Sequence, residues 1–307
     1  MELPDDDTLR WIVTTFAHLR AGHGATIGSP PLLQPTSEFF PDEFRPDATS
    51  IERLLRRMIG YGPLADGLAV ELELLEPEGG HAGGCGAAAC GPGGAARARG
   101  AGAERLGDGY RVQLAVTDAG HADLLATSLG RSVGALVLHE AGEEVDADAS
   151  EIAAVVCGFG VLLANGAAVW AKSCGGLRMT QATVLPVEPL AVALALFVAL
   201  HGGKASEARK HLGATQREAF ELAEDWVESN PQLVEALRER PEMLAAGVFD
   251  LEPVRGLLGR WLHGRRKEKA MRAAPARPAA PAMSDERRRR LEEARALVDE
   301  VMGETKG

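Results

Sequence analysis

A chain of 307 residues with 46% hydrophobic and 25% charged side chains has the apolar content to build a substantial core in one or two domains. The net charge of −11 is unevenly spread: residues 264–307 carry twelve basic and eight acidic side chains, leaving −15 on the rest of the chain. So acidic a body argues against broad nucleic-acid binding, which requires a basic face against phosphate.

The opening MELPDDDTLRW is acidic and no apolar run follows it, unlike a secretory signal. Cysteines at 85, 90, 157 and 174 lack the spacing of a disulfide framework, so a reducing, cytoplasmic setting is expected. A first helix is predicted over Asp5–Leu19, with Leu9, Ile12, Val13 and Phe16 on one face. Residues 22–47 read as a loop rich in Pro and Gly that carries Phe39, Phe40 and Phe44. A second helix, Ser50–Tyr61, is stopped by Gly62-Pro63. Leu68–Leu75 and Tyr110–Val116 alternate apolar and polar residues and are expected to form an antiparallel strand pair, with a third strand elsewhere left open. Between them, residues 77–109 are Gly/Ala-rich with no core pattern, which reads as a flexible insertion. His81, Cys85 and Cys90 lie within it, but a zinc site needs four ligands at paired spacing, and no fourth is near.

The centre of the chain reads DLLATSLGRSVGALVLHEAGEEVDADASEIAAVVCGFGVLLAN over Asp123–Asn165. A helix over Leu124–Leu138, an acidic loop and a very apolar helix over Glu151–Ala171 are expected. Ala126, Thr127, Ser128 and Leu129 precede GRSVG, and Glu151-Ile152 leads to Gly158, Phe159, Gly160, Ala164 and Asn165. This pattern resembles an uncharacterised bacterial family of zincin-like metallopeptidases, over about residues 37–260. In that family the first helix carries His-Glu-x-x-His and the second supplies an acidic third ligand. The resemblance places the motif on Gly130, Arg131 and Gly134, residues that cannot ligate zinc or activate water. Glu151 keeps the acidic position. Arg131 is expected to lie within salt-bridge reach of it or of the acidic loop at residues 140–148, a cation of the chain standing in for a metal. Gly158 and Gly160 are expected to let the two helices approach closely.

Residues 152–171 contain no charge and meet the length of a membrane span, but three glycines, Asn165 and the lack of basic flanks favour a buried core helix. Cys157 within it reads as a buried free thiol, and Trp226 and Trp261 as core anchors. Further helices are predicted at Glu188–His201, Ser206–Leu212, Thr215–Ser229, Asn230–Arg240, Pro241–Ala246 and Leu251–His263. A basic Pro/Ala linker follows over 264–282. Ser284 then caps an amphipathic helix over 283–303, with Leu291, Leu297, Val298 and Val301 in its apolar stripe.

The expected architecture is thus mainly α, within an α+β class. A zincin-like helical body spans 1–263, with a small antiparallel β element and a C-terminal extension helix. No catalytic residue, metal or cofactor is expected. The favoured function is a non-catalytic, zincin-like pseudoenzyme that works in protein interaction or assembly, by partner capture or self-association through the tail helix. The alternative is a metal-dependent hydrolase with a site rebuilt from His121, His139, Glu140 or Glu151.

Overall fold

The computed structural model describes residues 1–75, 102–173 and 176–254. The described residues all lie in the first of the chain's two units, residues 1–255. The expected linker, the tail helix, Trp261, His81, Cys85, Cys90 and Cys174 lie outside the described residues.

The first unit is predominantly helical, with a small mixed sheet. Helix α1 (Asp6–Ile27) starts where the Asp5 carboxylate accepts the Thr8 amide at 2.8 Å. It runs eight residues past the expected end at Leu19, through Gly22 and Gly24, and buries Leu9, Ile12, Val13 and Phe16. Asp47 caps α2 (Ala48–Tyr61) in the same way, through the Ser50 amide.

Strand β1 (Val70–Leu75) is parallel to β3 (Gly109–Ala115), a correction to the expected antiparallel pair. The reason is a third strand, β2 (Ala103–Leu106), inside the stretch read as a structureless insertion. It forms an antiparallel hairpin with β3 across Gly107-Asp108. With that edge of β3 taken, β1 lies along the other edge in the same direction, giving the order β1-β3-β2. Val70, Tyr110, Val112 and Leu114 are buried.

After the short α3 (Val116–Ala119) comes α4 (Ala122–Ala141), buried along most of its length. The helix expected over Glu151–Ala171 is instead broken. Helix α5 (Ala147–Ala154) passes through a π-helical turn at Val155–Phe159 into α6 (Gly160–Gly166). Gly158 at the break has φ +96° and offers its carbonyl to the Leu33 amide at 3.0 Å. A Cβ there would meet the Pro31 carbonyl oxygen, so only glycine fits this crossing. Residues 169–171, read as helix, belong to strand β4 (Val169–Ser173), which forms a two-stranded antiparallel sheet with β5 (Gly176–Thr180). Residues 147–166 are long and apolar enough to cross a membrane by length and composition, but most of this stretch is buried inside the protein. Cys157 lies fully buried there, and burial pushes its thiol up to about 12.

The core is closed by α7 (Val187–His201), α8 (Ala205–His211), α9 (Ala214–Ser229), α10 (Pro231–Glu239) and α11 (Pro241–Ala245). Helix α7 is apolar on every side and packs against α9, where Trp226 is an interior anchor. Residues 251–254, expected to open another helix, are not helical.

Candidate functional site

Helices α4 and α5 lie against each other along the positions singled out in the sequence. A Cβ on Gly134 would fall 2.0 Å from the Ser150 carbonyl oxygen and 2.8 Å from the Ala154 amide nitrogen. At Gly130 it would meet Leu163 Cδ1 at 3.0 Å, with Met58 and Phe159 close behind. Both glycines therefore face α5 and α6, and helix backbone occupies the space a histidine at 134 would need. The close approach comes from α4, not from Gly158 and Gly160 as expected, for those face Pro31 and Leu194. Near the start of α4, Gly166 packs on Thr127, whose hydroxyl donates to the Leu162 carbonyl at 2.7 Å.

Arg131 leaves α4 beside these glycines and meets Glu151 of α5. Its Nε lies 2.7 Å from Glu151 Oε1, and the two side chains are 4% and 0% exposed. The Nε–H is not aligned on the oxygen, so the contact is ionic rather than a directed hydrogen bond. The guanidinium also donates to the Ala182 carbonyl at 3.3 Å. Glu151 in turn accepts the Val184 amide on Oε1 at 2.6 Å and the Leu185 amide on Oε2 at 2.9 Å. Burial pushes the Glu151 carboxyl up to about 7, against the pull of Arg131 and of the two amides. The pairing expected from the sequence is present. Its grip on the loop at Ala182–Leu185 had no sequence signal, because those donors are backbone groups more than thirty residues away.

The residues of the rebuilt-site alternative are spread apart in their interactions. His139 Nε2 hydrogen-bonds the Ala103 carbonyl at 3.2 Å, and Glu140 accepts the Tyr110 hydroxyl at 2.6 Å. His121 stands at the exposed start of α4, while Glu151 is interior. Among the described residues no group of three His, Cys, Asp or Glu side chains is arranged to hold a metal ion. Glu143 of the acidic loop has partners the sequence did not suggest: its Oε1 lies 3.1 Å from His18 Nε2 and 3.3 Å from His23 Nε2 on α1. Burial raises the Glu143 carboxyl, but hydrogen bonds from the two histidines outweigh it and leave it below its ordinary value.

Asn165, at the end of the resembling pattern, ties α6 to the α8–α9 corner. Its amide donates to the His211 carbonyl at 2.7 Å and its oxygen accepts the Gly213 amide at 3.2 Å. On the outside, Trp170 and Met179 face each other across β4 and β5 and are 54% and 49% exposed. Val184, whose amide Glu151 holds, is also exposed. Compared with protein-family models, with curated proteins and with solved structures, the chain matches none of them.

Proposed function

We propose that this chain is a non-catalytic protein of zincin-like descent that acts through contact with other proteins. One observation supports the reading above the rest: Arg131 and Glu151 form a buried ion pair at the positions the resemblance assigns to the water-activating glutamate and the third metal ligand. Arg131 is a permanent cation that cannot accept a proton from water. Glu151 has both oxygens committed, to Arg131 and to two backbone amides. Helix packing at Gly134 leaves no room for a ligating side chain. What remains is a scaffold in which the former chemical position fixes a loop.

Interaction is the function left to such a scaffold. The body carries two exposed apolar side chains side by side, Trp170 and Met179 across β4 and β5, of the kind that contacts partners. The tail sequence adds the stripe of Leu291, Leu297, Val298 and Val301, which needs cover to be stable as a helix. The tail is the main contact, with either a second copy or another protein.

The test has two arms. Purified full-length protein is assayed for zinc: stoichiometric metal that Glu151→Ala abolishes overturns the non-catalytic reading. Light scattering and crosslinking then compare the full chain with one lacking residues 274–307. Association is expected to be lost while the body stays folded, and Leu291→Asp with Leu297→Asp should mimic the deletion. A truncated body that aggregates or melts much earlier makes the tail part of the core and refutes the interaction role.

A further inference from the structure

A second feature of α4 lies away from the ion pair. The first turns of this helix, the outer face of α2 and the loop at residues 35–44 enclose a cleft of about 350 Å³. Its walls are mainly apolar, built from Phe40, Phe44, Leu54, Leu125 and Leu162. Small-molecule sites are of this kind: a few hundred cubic ångströms, mostly apolar, with a few polar groups that fix orientation. The cleft is also preformed. Phe39 and Phe40 both donate their amides to the Thr36 carbonyl, and the Tyr61 hydroxyl donates to the Phe39 carbonyl at 2.6 Å. Both rings pack edge-on against Tyr61, with centroids 6.0 and 6.2 Å away. Phe44 is the mouth of the cleft and remains 42% exposed, an aromatic ring with little to cover it.

The charges at the rim decide what the cleft takes. Asp42 is bound by Arg57 at 2.6 Å, and Glu43 is reached by Arg45 at 3.4 Å. Asp123 sits in the first turn of α4, where the positive end of the helix compensates it. Arg53 is the cleft cation with no ion pair among the described residues. It makes a 3.4 Å contact to the Ser50 hydroxyl and a weak electrostatic contact with Asp47, whose carboxylate already caps α2. An apolar pocket with a guanidinium outside any ion pair at its rim complements an anion on an apolar body. The volume equals that of about a dozen water molecules at ~30 Å³ each, so the ligand has about a dozen non-hydrogen atoms.

We infer that this cleft is a binding site for a small amphipathic carboxylate, such as a medium-chain fatty acid. The apolar part lies against Phe40, Leu54 and Leu162 beneath Phe44, and the carboxylate meets Arg53. This site is separate from the buried pair, and its test does not depend on the interaction role.

Sodium decanoate, kept below its micelle concentration, is titrated calorimetrically into the full chain, with acetate and 1-octanol as the carboxylate-only and largely apolar controls. One-to-one binding with a dissociation constant on the order of 0.1 mM is expected from ligand-efficiency limits. Arg53→Ala should weaken decanoate about tenfold while leaving 1-octanol unchanged. Phe44→Ala should weaken both. Arg53 and Phe44 are exposed, so both variants keep the fold, which circular dichroism checks. Absence of saturable decanoate binding, or decanoate affinity unaltered by Arg53→Ala, overturns the assignment. Equal binding of acetate reduces it to an unspecific anion contact and overturns it as well.

Discussion

Replacing Gly134 by alanine adds one methyl group at the tightest point between α4 and α5. A Cβ there lies 2.0 Å from the Ser150 carbonyl oxygen, about 1.4 Å short of ordinary contact, and 2.8 Å from the Ala154 nitrogen. Both neighbours are helix backbone, so no side chain can swing away and the two helices must move apart. That movement strains the Arg131–Glu151 contact, which spans the same interface. Overpacking a filled core costs typically ~1–3 kcal/mol, and backbone on both sides puts this case at the upper end or beyond. About 3 kcal/mol corresponds to a fall in Tm of roughly 6–12 °C for a body of this size. Thermal and urea unfolding followed by circular dichroism measure it. The matched control is Gly60→Ala near the end of α2, where nothing lies within 4 Å of the new methyl. There alanine should stabilise by up to about 1 kcal/mol through its helix preference. Gly134→Ala within about 0.5 kcal/mol of the parent, the range of ordinary surface substitutions, would refute the close-packing argument. It would also reopen the possibility of a ligand at that position.

Breaking the ion pair should show in both stability and pH response. Arg131→Ala is expected to cost about 3–5 kcal/mol at pH 8, where the parent's Glu151 is ionised and paired, and less at pH 5, where Glu151 already holds a proton and the charge pairing is absent. Equal losses at the two pH values, measured by urea unfolding, would contradict this. For the parent protein, the folded Glu151 carboxyl at about 7 lies above its ordinary 4.5. Between these values the folded state holds more protons than the unfolded state. The contribution of this group is therefore full below about pH 4.5 and is lost as pH rises through about 7. Glu151→Gln should remove that fall, so the stability difference between parent and variant should change across this window; a constant difference would show that Arg131 and the amides outweigh burial.

Much of the helical layout was legible because its signals are local. Gly62-Pro63 after α2 and Pro231 at the start of α10 mark boundaries through local backbone chemistry that needs no tertiary partner. Arg131 and Glu151 could be matched only through the resemblance, which sets them at the positions of the water-activating glutamate and the third ligand. The errors lie where a distant segment decides. The apolar run after Glu151 reads as one helix until the carbonyl of Pro31 is brought against Gly158 and opens the turn. Likewise, Gly22 and Gly24 suggested an end to α1, yet packing carries it on to Ile27. The β2–β3 turn at Gly107-Asp108 lies at the margin of a Gly/Ala-rich stretch, where one more glycine pair carries little contrast. No pattern in the sequence could give the Val184 and Leu185 amides, since any residue there but proline offers the same donor.

The buried pair also has a consequence for how this chain can change over generations. A mutation at Arg131 strands a carboxylate in the interior, and one at Glu151 strands a guanidinium together with two backbone amides. Either single step crosses a deep loss in stability, while an exchange of both for well-packed apolar residues can be nearly neutral. Positions 131 and 151 therefore form one heritable unit. Any metal site at these positions would need several simultaneous substitutions, among them one at a glycine with no free space beside it.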